Sequence, residues 1–216
     1  MAVKTTTKKQ ISSLEHIRGK LPPLKEADIV LIRHKKVKGS FLRTLLRITL
    51  RKITKSYWDH TALVLFPKNP QKGYFYNQII EAVDPRGIEI HKLDKYLKNP
   101  EIYDIGVKRI PGLNMDTRKR IIAFMLMNVD APYYRLKLRR FLLAIFSRKF
   151  SEKLLGRQRF CCSGFVQKAF YEAANWDQRE KIIFKKEFLS PIELQETTTP
   201  ADIARSDKAV WIYNEH

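Results

Sequence analysis

The chain has 216 residues, 44% of them apolar, and 42 Lys and Arg against 22 Asp and Glu give a formal charge of +20. That content excludes a wholly disordered chain, and the length suffices for one domain with a real core. The charge points to an anionic partner, while Cys161 and Cys162, adjacent and with no Cys-x-x-Cys pair, imply neither a disulfide framework nor a zinc site.

Residues 1–24 read as a polar lead-in, since Gly19 and Pro22-Pro23 oppose a helix running into the body. The longest uncharged apolar stretch begins at Ile121 and is too short to cross a bilayer, and no signal-peptide run opens the chain. A cytoplasmic protein with reduced thiols is the expectation. Ala27 to Arg33 reads as a short buried strand, followed by a basic stretch, Arg33 to Trp58, without Asp or Glu. Strands follow at His60–Phe66 and Gln78–Val83. The turn signal Asp84-Pro85-Arg86-Gly87 then predicts a hairpin with Gly87–Leu93. Ile102–Ile110 is a further strand, stopped by Pro111-Gly112. Asp116–Asn128 has helical periodicity, and a second basic apolar stretch runs from Tyr134 to Phe160. A helix is expected from Cys162 to about Ala174, a loop over 188–199, a short helix or turn from Pro200, and a last strand over Ala209–Tyr213. Strands, then helices, then a final strand make an α+β domain. It occupies 25–216, with basic helical insertions at about 34–58 and 134–159.

The most informative run is Cys162-Ser163-Gly164-Phe165-Val166. A thiol in the first turn of a helix faces the positive end of the macrodipole, which favours the nucleophilic thiolate. Such a nucleophile needs a base and a group to orient that base. Of five histidines, His16 lies in the lead-in, His216 is the last residue and His34 sits in a Lys cluster. His91, on the second hairpin strand, reads as solvent-facing as readily as anything else. His60 opens an otherwise apolar strand and would sit at the rim of the core, where a base belongs, although a satisfied strand-end histidine reads the same way. Glu81, inside Ile79-Ile80-Glu81-Ala82-Val83, is costly to bury unless paired. On a strand beside His60 it would accept the imidazole N–H; on an edge strand it would simply face water.

These residues carry a resemblance. Cys162-Ser-Gly-Phe-Val followed by Gln167-Lys168-Ala169-Phe170 is similar to the nucleophile helix of NlpC-type papain-like cysteine peptidases. The histidine strand precedes the cysteine here, which resembles the circularly permuted branch that includes bacterial permuted amidases and lecithin:retinol acyltransferase-like proteins. Ala27-Asp28-Ile29-Val30, Ile80-Glu81-Ala82-Val83, Gly87-Ile88, Val107-Lys108-Arg109 and Thr199-Pro200-Ala201-Asp202-Ile203 fall in that branch's order. The resemblance covers roughly 27–213 and departs at Ala27, where glycine is usual. It implies a permuted papain-like fold, an antiparallel sheet packed with the nucleophile helix. It further implies Cys162 as nucleophile, His60 as base, Glu81 as orienter, Cys161 as bystander, and a tyrosine lining the site, either Tyr213 or Tyr133. The implied activity is a cysteine hydrolase (amidase, peptidase or esterase) working through an acyl-enzyme on a peptide fragment or acyl lipid, without metal or organic cofactor. An acyltransferase or phospholipase acting on membrane lipids is the alternative.

As a helix, Ser40–Tyr57 would place Arg43, Arg47, Arg51 and Lys55 in one stripe beside long aliphatics. Such a basic amphipathic helix suits an anionic membrane surface, or simply packs on its own domain with its charges in water. Leu136–Phe150 is a less regular version. Aliphatic rather than aromatic interleaving makes nucleic acid the less suited partner. The remaining alternative is a non-catalytic basic module in which Cys162 is merely buried.

Overall fold

The computed structural model describes residues 21–35, 48, 51–52, 54–73, 76–132, 161–173, 182–185, 194–195 and 197–215. Six strands form one antiparallel sheet: β1 (Ile29–His34), β2 (His60–Phe66), β3 (Gln78–Val83), β4 (Gly87–Lys92), β5 (Tyr103–Arg109) and β6 (Val210–Asn214). Their order across the sheet is β4-β3-β2-β1-β5-β6. Among the described residues, the α-helices include α1 (Asp94–Leu97), α2 (Met115–Met127), α3 (Cys162–Glu172) and α4 (Pro200–Arg205). This is the α+β architecture that the order of elements predicts and the antiparallel sheet that the resemblance implies. The expected helix at Leu136–Phe150 lies outside the described residues.

Alternation along the strands sorts side chains onto two covered faces. Ile29, Leu31, Leu63, Leu65, Ile80 and Ala82 pack with Phe165, Val166, Ala169 and Phe170 of α3 and with Ile121 and Met125 of α2. Val30, Ile32, Ala62, Val64, Ile79 and Val107 pack on the other side with Leu93, Tyr96 and Leu97. Because both faces are buried, the central strands read as continuous aliphatic runs.

Polar anchors join the ends of this sheet. Asp28 is buried, and its two oxygens receive Arg109 Nε at 2.8 Å and Arg109 Nη2 at 2.7 Å. That fork ties the start of β1 to the end of β5. Its neighbour Ala27 has φ 62°, in the left-handed region that favours glycine. Lys108 is also buried. Its ammonium donates to the carbonyls of Ile203 (3.1 Å), Ala204 (2.8 Å) and Ser206 (2.7 Å), the last turn and C-cap of α4. A cation satisfying orphan carbonyls at a helix C-terminus is favourable. At the other end of α4, Thr199 and Asp202 form a capping box.

Candidate active site

Helix α3 begins where its sequence has a poor but usable cap. Cys161 is the N-cap, with extended backbone (φ −87°, ψ 164°), and its Sγ accepts from Gly164 N–H at 3.3 Å. Cys162 is the first helical residue and is buried. Ser163 Oγ donates to the Thr198 carbonyl at 2.7 Å, so α3 is fastened to the segment that leads into the α4 capping box. Buried Gln167 accepts from Phe184 N–H at 2.9 Å and donates to the Ile182 carbonyl at 2.8 Å. Gly164 allows the chain to pass: a Cβ there would overlap the Gln195 carbonyl oxygen. Gly164→Ala is therefore expected to destabilise the fold by about 3 kcal/mol, at the upper end of overpacking costs, in urea denaturation. The strain would also displace the thiol at the helix start.

His60 and Glu81 come to the thiol from the sheet. Pairing of Leu63 with Ile80 and Val64 with Ile79 sets the β2–β3 register, and alternation then puts His60 and Glu81 on one face. His60 Nε2 lies 2.6 Å from Glu81 Oε2. That leaves Nδ1 as the ring nitrogen for Cys162, whose thiol lies within hydrogen-bond reach of the imidazole. β3 is an interior strand, so Glu81 is buried rather than on a wet edge.

Burial disfavours the charged form of all three groups, and the pairing outweighs it. For His60, the Cys162 thiolate and the Glu81 carboxylate raise the imidazole to about 10. For Cys162, the His60 charge and hydrogen bond, helped by the backbone N–H groups of Thr61 and Ser163, lower the thiol from its ordinary value. For Glu81, the hydrogen bond from His60, the close approach of His91 and the charges on His60 and Lys95 hold the carboxyl well below the usual carboxylate range. Cys161 moves the other way. Burial and the neighbouring Cys162 thiolate push its thiol up to about 12. These shifts favour a thiolate–imidazolium pair beside a fixed carboxylate, an arrangement that can attack a carbonyl carbon.

Glu81 has three further neighbours, of which the sequence pattern singles out neither Lys95 nor Tyr96 and does not tie the third, His91, to Glu81. Tyr96 Oη donates to Oε2 at 2.5 Å and Lys95 Nζ to Oε1 at 2.9 Å, both from α1. His91 Nδ1 stands 2.8 Å from Oε1, at ion-pair distance without hydrogen-bond alignment. His91 thus faces the carboxylate and not open solvent. His34 also has a specific partner: its Nδ1 lies 2.6 Å from Asp59 Oδ1, and its ring meets His60 edge-on at 6.2 Å between centroids.

The other predicted residues are placed differently. Tyr213 lies on β6, separated from β2 by β1 and β5, and its hydroxyl donates to Glu215 at 2.9 Å. No described contact joins it to the Cys162–His60 pair, whereas Tyr96 bonds the Glu81 carboxylate that holds His60. Tyr133, Arg43 and Arg47 lie outside the described residues. Arg51 has helical backbone, yet its guanidinium turns onto the protein, 3.6 Å from buried Asp59 and 3.4 Å from the His34 carbonyl. Lys55 has φ 48° and stands in a turn, so the expected helical stripe does not continue through it.

Among the described residues no group of three or more His, Cys, Asp or Glu side chains is arranged to hold a metal ion, and no helix is long and apolar enough to cross a membrane.

Comparison with known proteins agrees with this geometry. One solved structure, a protein described as the metalloprotein yiiX from Escherichia coli O157:H7, shares the fold. It has a TM-score of 0.53 and 15% sequence identity, over 88% of this chain and 97% of that one. No curated protein matches the chain significantly. A sequence model for the permuted papain-like amidase enzymes, the YaeF/YiiX or C92 family, matches residues 25–213, nearly the whole of the chain. With the His60 strand before the Cys162 helix in sequence, and the two meeting in space, the chain belongs to the permuted papain-like amidase family.

Proposed function

We propose that the protein hydrolyses amide bonds through an acyl-enzyme on Cys162, with His60 as base and acid and Glu81 as orienter. The observation that carries this reading is the alignment of the Cys162 thiol, His60 and Glu81, with 2.6 Å between His60 Nε2 and Glu81 Oε2. The Cys162 thiolate attacks the substrate carbonyl carbon. The oxyanion that forms meets the backbone N–H of Cys162 at the positive start of α3. His60 gives its proton to the departing amine as the C–N bond breaks, leaving a thioester. Water then attacks the thioester, with His60 taking its proton, and the acid and free thiol are released. Glu81 holds the ring through Nε2 throughout, so Nδ1 stays on the reacting side.

An activated ester tests the reading without knowledge of the natural substrate. After mixing with p-nitrophenyl acetate at neutral pH, intact-mass and peptide mass spectrometry are expected to find one acetyl group on Cys162, released by hydroxylamine. An unmodified Cys162, with acetyl only on lysines, would overturn the proposal.

A further inference from the structure

The Glu81 carboxylate is oversupplied with donors for a group whose task is to orient one histidine. Oε2 receives both His60 at 2.6 Å and Tyr96 at 2.5 Å, while Oε1 receives Lys95 at 2.9 Å and faces His91 at 2.8 Å. Lys95 and Tyr96 both project from α1, a single turn directly after β4. Tyr96 is buried, and its ring meets Tyr103 edge-on; Tyr103 in turn meets His34, and His34 meets His60. A closed set of contacts thus surrounds the His60–Glu81 pair.

A buried carboxylate bonded to a single imidazolium would hold that proton strongly, because attraction between opposite charges grows as the local dielectric falls. A general acid must surrender its proton, and it works best with an affinity near that of its surroundings. We infer that Lys95 and Tyr96 are positioning residues that share the charge of Glu81, so that His60 is held in orientation yet still releases its proton to the departing amine. The inference rests on the catalytic reading of Cys162, His60 and Glu81. Tyr96 competes with His60 for the same oxygen, and Lys95 draws charge onto the other. The remaining groups that face the pair are Cys162 from α3, His91 with Glu89 beside it from β4, and His34 on Asp59 from β1.

Histidine NMR of the full chain reads the effect directly. Lys95→Met is expected to raise the pH midpoint of the His60 imidazolium by about half a unit, a threefold gain in proton affinity. Tyr96→Phe should shift it the same way by less, and Lys95→Arg should keep the wild-type midpoint. Hydrolysis of an amino-acid anilide should fall about threefold relative to p-nitrophenyl acetate in Lys95→Met, because only the anilide needs a protonated leaving group. A purely structural role would lower both substrates together and leave the midpoint unmoved. Unshifted or lowered midpoints in folded Lys95→Met and Tyr96→Phe would overturn the inference; should Lys95→Met fail to fold, Tyr96→Phe alone decides it. An unacylated Cys162 in the wild-type protein marks failure of the catalytic reading instead, and is seen separately in the mass spectrum.

Discussion

Cys162→Ala is expected to lower hydrolysis of any amide that the protein turns over by on the order of 10⁴-fold or more, with its fold intact, and His60→Ala to do nearly the same. The two residues act as a unit, so the double variant should be little worse than either single one. Cys161→Ser separates the neighbours. Cys161 is the N-cap, whose sulfur accepts from Gly164 N–H, and a serine oxygen makes a better cap than a thiol. Cys161→Ser should keep full activity and equal or greater stability. Iodoacetamide at pH 7 should alkylate one site, Cys162, because the Cys161 thiol is pushed up to about 12 and is almost wholly protonated there. Kinetics, urea denaturation and peptide mapping read these outcomes together. Turnover surviving Cys162→Ala, or alkylation falling on Cys161, would remove the assignment of the nucleophile.

The parts of the fold that follow from short-range physics are legible in the sequence itself. His60–Phe66 and Gln78–Val83 are aliphatic runs stopped by turn residues, and the observed strands have those same bounds. Helix α3 starts at Cys162, as the Ser-Gly-Phe-Val pattern predicts. Spacing in the chain could not show what tertiary pairing supplies. His34 reads by its lysine neighbours, yet the residue that defines it is Asp59, 25 positions away, which the β1–β2 pairing delivers to its ring. Helix α1 has only four residues, too few to show a 3.6-residue period, so Lys95 and Tyr96 carried no signal of their own. The one available hint was Glu81 itself. A carboxylate inside an aliphatic strand requires several donors, and one imidazole cannot fill both of its oxygens. Arg51 shows the opposite error: its helical spacing suggested an outward stripe, but the buried Asp59 drew it inward.

Glu81→Ala is expected to destabilise the protein by about 3 kcal/mol, because it strands the part-buried His60 and Lys95 without their shared counter-charge. Lys95 is one-third exposed and water softens its share, so most of the loss belongs to the His60 side. Glu81→Gln keeps the shape and should cost less. The pH dependence has a definite sign. Glu81 is depressed in the folded state, so its contribution is complete above the ordinary 4.5 of the unfolded carboxyl and is lost as pH falls toward the folded value. Urea denaturation should therefore show wild-type stability dropping below about pH 4.5, with a flatter course in Glu81→Gln. His60 is raised: its contribution is complete below the ordinary 6.5 and is lost as pH rises through about 10. Cys162 is lowered, so its contribution has the opposite slope and is complete above the ordinary 9.0. Between those two ordinary values the folded pair holds one proton on the imidazole and the unfolded pair holds one on the thiol. The slopes cancel, and the pair adds no pH dependence from 6.5 to 9.0. Below that window the unfolded pair binds a second proton, above it none, and stability falls on both sides. A plateau is thus the equilibrium signature of a folded pair that holds one proton. If the folded state instead held a neutral thiol beside a neutral imidazole, the same plateau would extend on the acid side only as far as His60 itself resists protonation. An ultraviolet thiolate band at pH 7 that vanishes in Cys162→Ala and persists in Cys161→Ser distinguishes the two, and its absence from the wild-type protein would exclude the ion pair.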